Sequence, residues 1–127
     1  MSYEMTMQET FDTVANHLLT QNKRSVVYMG DDQRESCAYR TPDGLMCAVG
    51  CLIPDDKYTK DVEGVNVRGL ADQDQEAQMI PKITDSDDEF HFLMAIQDIH
   101  DGINPIDWPH ALTVFAQDFN LSTDVLS

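Results

Sequence analysis

The sequence predicts an α+β fold in a single domain spanning residues 1–127, on three observations. A stripe of helical period lies behind a capping box near the start. A turn signal, Pro42-Asp43-Gly44, separates two apolar segments in the middle. Two further helical stripes occupy the last third, after residue 86. A chain of 127 residues is near the common size of one domain and buries roughly two-thirds of its unfolded surface without metal or disulfide support.

Thr6-Met7-Gln8-Glu9 has the capping-box spacing, a hydroxyl at the N-cap and a carboxylate three residues on. Met7, Phe11, Val14, Ala15, Leu18 and Leu19 then fall on one face of a helix that runs to about Gln21, with Asn22 as a left-handed stop. Ser25 to Met29 is β-branched and reads as extended, and Gly30-Asp31-Asp32 reads as a turn. The segment Cys37 to Thr41, the loop Pro42-Asp43-Gly44 and the segment from Leu45 predict a central β-hairpin, closed by a type I turn with a glycine bulge. Its register would set Thr41 opposite Leu45, Tyr39 opposite Cys47 and Cys37 opposite Val49. The apolar run Ala48 to Ile53 is buried whether it continues the strand or turns helical at Ala48. Pro54-Asp55-Asp56 opens a short helical turn toward Tyr58.

Residues 59–78 read as a loop, with an acidic tip at residues 72–76 and a helical turn around Val67 to Leu70. Ser86-Asp87-Asp88-Glu89 repeats the capping-box spacing, which predicts a helix from Asp87 to Asp101 with Phe92, Leu93, Ile96, Ile99 and His100 on its apolar face. Asp107 caps a last helix whose buried stripe is Trp108, Leu112, Phe115 and Phe119; Asn120 stops it and Leu121 packs back on it. Residues 122–127 are expected to fray. The expected core is Phe11, Val14, Leu18, Tyr39, Cys47, Val49, Leu52, Leu93, Ile96, Leu112 and Phe115.

The run Cys37-Ala38-Tyr39-Arg40, then Gly44, Cys47-Ala48-Val49-Gly50 and Leu52-Ile53-Pro54-Asp55, resembles a pattern in small uncharacterised proteins of bacteria and tailed phages. Phe11, His17-Leu18, Ile99-His100-Asp101 and Trp108 are similar to its flanks. The resemblance implies a compact cytoplasmic domain of a kind often carried by mobile genomes. It implies no activity and carries over no catalytic residue.

Charge is the main functional signal. The net charge is −15. From Gly69 onward, 59 residues hold twelve carboxylates and one basic side chain, Lys82; residues 1–68 hold eleven carboxylates against seven Lys and Arg. Such a balance disfavours direct binding to nucleic acid or to anionic membrane. No apolar run approaches the roughly 18 residues of a membrane span. Met1-Ser2-Tyr3-Glu4 lacks the basic and apolar regions of a signal peptide, and three cysteines fit a reducing cytoplasm.

Catalytic signals are weak. Cys37, Cys47 and Cys51 are candidate zinc ligands, since Cys47 and Cys51 have a zinc-site spacing, with His17 or His100 to complete the set. The competing reading makes all three small buried hydrophobes, and no cofactor is expected. His100-Asp101, with His17 and His91, invites comparison with the His-Asp metal phosphohydrolases, which need further ligands from a larger all-helical domain; a core or interface histidine is the stronger reading. No phosphate-binding glycine loop occurs, and Asp85 to Glu89 lacks the spacing of an EF-hand loop.

The leading expectation is therefore a non-catalytic acidic binding protein of a phage or mobile element. It would act in the host cytoplasm and present a DNA-mimicking surface to a host protein with a basic nucleic-acid-binding face. Its candidate residues are Asp72, Asp74, Glu76, Asp85, Asp87, Asp88, Glu89, Asp98 and Asp101, with Asp107 and Asp118 on the same side. The alternative is a regulatory or assembly module that binds a partner, or dimerises, through an apolar patch of Tyr58, Trp108, Phe115 and Phe119.

Overall fold

A computed structural model describes residues 4–29, 34–42, 44–59, 63, 80–86 and 88–126, without the side chains of residues 27–29, 34–37 and 89. The turn Gly30-Asp31-Asp32, the helical turn Val67 to Leu70 and the acidic tip 72–76 lie outside the described residues, as do Asp87 and the side chains of Cys37 and Glu89.

The fold is α+β. Strand β1 (Glu4–Met5) leads into helix α1 (Met7–Gln21). The capping box forms as the spacing predicts: Thr6 Oγ1 accepts the Glu9 N–H at 3.1 Å and the Glu9 carboxylate accepts the Thr6 N–H at 2.9 Å. Asn22 takes the left-handed conformation (φ 53°) that ends the helix. Strands β2 (Val26–Met29) and β3 (Arg34–Cys37) pair antiparallel, with Val26 opposite Cys37. Strand β4 (Lys82–Ile83) returns to pair in parallel with β1. Helices α2 (Glu89–Gly102) and α3 (Trp108–Asp118) follow, joined by a 3-10 turn at Pro105–Asp107.

The central hairpin is the main correction. Its turn and register survive as a few bonds: Thr41 N–H donates to Leu45 O (2.9 Å), Cys47 N–H donates to Tyr39 O (3.3 Å), and Arg40 and Met46 form an isolated antiparallel bridge. Gly44 adopts the positive φ (91°) that a glycine bulge needs. The ladder goes no further. Val49 N–H is given to the Gln97 side chain, and Cys37 pairs with β2 instead. The chain turns at Ala48 into a 3-10 helix, Gly50–Leu52. That turn presses Gly50 against the preceding segment, where a Cβ would lie 2.0 Å from the Tyr39 carbonyl oxygen. Only glycine fits there.

Three local expectations also change. The N-cap of α2 is Asp88, whose carboxylate accepts the His91 N–H at 3.0 Å, while Ser86 Oγ accepts the Asp88 N–H. Asp107 holds the N-cap position of α3 but makes no side-chain capping bond. The C-terminal segment is docked. Its 3-10 turn Asp124–Leu126 contacts α1, Val125 and Leu126 pack on the core, and the Gln8 amide bonds both the N–H (2.8 Å) and the carbonyl (3.1 Å) of Ser122.

One apolar core joins the three helices, the Gly50–Leu52 turn and the β1–β4 pair. Every residue of the expected core is buried, together with Phe92, Trp108 and Ala116. Phe11, Phe92, Phe115 and Phe119 form a ring cluster with centroids 4.6–5.8 Å apart. Phe92 touches Phe115 and Phe119, and the His100 ring stacks on Trp108, so α2 and α3 run antiparallel.

Candidate functional site

The polar groups fall into three arrangements: a buried relay, a latch at the rim and an exposed acidic side. The relay begins at Val49, whose N–H donates to Gln97 Oε1 at 2.9 Å. Gln97 Nε2 donates to Asp101 Oδ1 at 2.8 Å, and the same oxygen accepts the proton of His100 Nδ1 at 2.7 Å. With that tautomer, His100 Nε2 accepts the Ser25 N–H at 2.8 Å. Ser25 bonds Ala38 twice, through its carbonyl (2.9 Å) and its hydroxyl (2.7 Å). His100 is 0% exposed, and the Trp108 indole that covers it donates to the carbonyls of Ile99 and Ile103 at 3.0 Å each.

Ser25, His100 and Asp101 have the composition of a hydrolytic triad without its connectivity. The group facing His100 Nε2 is the Ser25 backbone N–H, and the Ser25 hydroxyl gives its proton to Ala38. A nucleophile needs its own proton aimed at the base and a path for substrate. Ser25 and His100 are both sealed in the interior. The trio holds the β2–β3 ribbon to α2 and is not arranged for acyl transfer.

The latch is centred on Glu63. Its carboxylate accepts the backbone N–H groups of Tyr39 (2.9 Å) and Arg40 (3.1 Å) and the Tyr58 hydroxyl. Arg40 lies over the Tyr58 ring, 4.9 Å from its centroid, pairs with Asp55 at 2.8 Å and donates to the Ile53 carbonyl. Tyr58 is thus engaged by its neighbours, and burial with the Glu63 hydrogen bond pushes its pKa up to about 12. Arg40, Ile53, Asp55 and Tyr58 are close in sequence, but Glu63 was not readable as their partner.

Cys47 and Cys51 behave as free thiols, the first buried and the second half-buried. Cys47 Sγ accepts the Gly50 N–H (3.2 Å) and Cys51 Sγ donates to the Ala48 carbonyl (3.0 Å). Burial pushes both pKa values up to about 12, away from the thiolate that binds metal. His17 Nε2 donates to the Met46 carbonyl at 2.8 Å, and His91 is exposed beside Phe119. Among the described residues no group of three or more His, Cys, Asp or Glu could hold a metal ion.

The structure sorts the candidate carboxylates into two kinds. Asp85 accepts the Met7 N–H at the start of α1 (2.8 Å), Asp88 caps α2, and Asp101 closes the relay while remaining 38% exposed. Asp98, Asp107 and Asp118 are exposed, and no side-chain hydrogen bond or ion pair engages them among the described residues. The apolar patch loses its anchors, because Trp108 and Phe115 belong to the core and Phe119 is half-buried against it. Among the described residues, the large apolar side chains that reach solvent are Met94 (47% exposed), Ile106 (85%) and Val114 (40%). They went unnoticed in the sequence because Met94 and Val114 fall off the buried stripes and Ile106 sits in a connector.

Compared with protein-family models, with curated proteins and with solved structures, the chain shows no match. No helix among the described residues is long and apolar enough to cross a membrane.

Proposed function

We propose that this is a non-catalytic acidic binding protein, encoded by a phage or other mobile element, that occupies the nucleic-acid-binding surface of a basic protein in the host cytoplasm. One observation carries the reading. The stretch from Glu89 to Asp118 contains no Lys or Arg, and its helical hairpin exposes Asp98, Asp107 and Asp118, which no side chain engages among the described residues. Such carboxylates raise a field that repels nucleic acid and draws in surfaces built to hold it. The pattern at residues 37–55, which resembles small uncharacterised proteins of bacteria and tailed phages, motivates the proposed origin.

The test is affinity capture from host cytoplasm at two salt concentrations, with mass spectrometry of what is retained. The expected partner has a basic groove, and its yield falls steeply between low and moderate salt as the charges are screened. Retention indifferent to salt, or a partner with no basic surface, overturns the reading. Charge neutralisation belongs at Asp72, Asp74 and Glu76 and, separately, at Asp98, Asp107 and Asp118. Asp85, Asp88 and Asp101 are unsuitable because their loss also removes a helix cap or the relay.

A further inference from the structure

We infer that the outer side of the α2–α3 hairpin is the docking surface, and that it receives an amphipathic segment of the partner carrying apolar side chains between Lys or Arg residues. This rests on the acidic-binding reading above and adds the place and the chemistry of contact.

The geometry follows from the ring contacts. Phe92 meets Phe115 and Phe119, and His100 meets Trp108, so positions on the two antiparallel helices are level when their numbers sum to about 208. Met94 is then level with Val114, Asp98 with His110 and Asp101 with Asp107. Both helices bury their inner stripes in the core that includes α1. The exposed stripe of α2 carries Met94, Asp98 and Asp101, and that of α3 carries His110, Val114 and Asp118. At the connector, Ile106 projects beside Asp107 at 85% exposure.

Apolar side chains thus lie among carboxylates on two helices that carry no Lys or Arg of their own, with the Arg24 guanidinium at the connector, 3.4 Å from Asn104 Oδ1. Pure charge repulsion of nucleic acid needs no exposed methionine, valine or isoleucine, and burying each of them recovers hydrophobic free energy only against another apolar group. Methionine adapts to irregular apolar partners. The carboxylates exclude an acidic partner and favour a basic one, so charge complementarity specifies a basic amphipathic segment, bound as helix against hairpin. A second copy of this chain brings the same −15 charge and is disfavoured at this face.

The test uses the full 15N-labelled chain and two probe peptides of identical charge. One is an amphipathic helical peptide with a leucine stripe flanked by arginines; in the other, serines replace the leucines. The expected result is amide shift changes centred on Met94, Asp98, Ile106 and Val114, with the leucine peptide binding at least about tenfold tighter. Met94→Ser with Val114→Ser should bring the two affinities to within about twofold and leave thermal unfolding unchanged, and Ile106→Ser alone should act in the same direction. Equal affinity for the two peptides, no binding of either, or shifts centred away from α2 and α3 overturns the inference. The charge reading is decided separately by salt-dependent capture and survives each of those outcomes.

Discussion

Asp98 and Asp101 stand three residues apart on one helix, and their surroundings divide the molecule into two regions. Asp101 reaches back to the relay, where one of its oxygens receives both Gln97 and His100. Asp98 faces water with no partner among the described residues. Inside, a carboxylate is held because buried donors need an acceptor, and its removal is felt as lost stability. Outside, a carboxylate has little folding role, and its contribution is to a field felt by other molecules. Acidity in this chain is therefore two phenomena with one composition. Mutations that separate stability from binding test the division.

The largest effect is expected at the start of the relay. Gly50 shapes the turn that presents Val49 N–H to Gln97, and an added Cβ would meet the Tyr39 carbonyl at 2.0 Å. Backbone cannot yield as a flexible side chain can. Gly50→Ala should cost about 3 kcal/mol or more, measured by denaturant unfolding. A loss under about 1 kcal/mol would mean the turn relaxes freely and does not define the inner region.

Alkaline pH probes the same interior. Cys47 and Cys51 are pushed by burial from 9.0 up to about 12. A pKa raised by folding means the folded chain keeps its proton where the unfolded chain has lost it. Their contribution is therefore fully present below pH 9 and is lost progressively as pH rises toward 12. Unfolding midpoints should fall over that window, and Cys51→Ser should flatten part of the slope. A midpoint that stays level from pH 9 to 11 would contradict the buried-thiol assignment.

Asp101 allows the charge of the inner carboxylate to be separated from its acceptor role. Asp101→Ala leaves the His100 N–H and the Gln97 amide without their acceptor and should cost about 2 kcal/mol. Asp101→Asn keeps an oxygen where both bonds converge and should recover most of that loss. If asparagine is as damaging as alanine, the negative charge beside His100 is what matters. A cap is worth less. Asp88→Ala should cost about 1 kcal/mol, read by the same unfolding measurement.

How much of this division could be read in advance depends on the range of the interactions. The capping box at Thr6 and Glu9, the stop at Asn22 and the buried stripes of all three helices rest on residues within a turn or two of each other, and they were legible. So was the placement of His100 on an apolar face. Its partner Ser25 is 75 residues away, and no local pattern joins them. The same holds for Gln8, whose amide holds Ser122 across 114 residues and docks a segment expected to fray. The hairpin failed by competition. Thr41 meets Leu45 and Tyr39 meets Cys47 as expected, but Cys37 pairs with Val26 instead of Val49, whose N–H is given to the Gln97 side chain. The start of α2 was misplaced by two residues because Ser86 and Asp88 are both good caps. Among the candidate site residues, the sequence could show that carboxylates were abundant but not that Asp85, Asp88 and Asp101 were already engaged.

The smallest stability effect is expected on the outer side, and it is the most telling. Asp98→Asn, Asp107→Asn and Asp118→Asn should together shift unfolding by no more than about 0.5 kcal/mol, because these side chains are exposed and engage no partner among the described residues. Removing three like charges from an already acidic surface relieves repulsion, so a slight gain is as acceptable as a slight loss. Binding to a basic partner should respond in the opposite way, with a slower association rate and a shallower dependence on salt. A loss above about 1 kcal/mol would give these carboxylates a structural role and erase the distinction from Asp101. An unchanged salt dependence would move the functional charge off this hairpin, toward Asp72, Asp74 and Glu76. The free carboxylates are thus identified by what their removal leaves intact: a fold that stays stable while its attraction for basic surfaces declines.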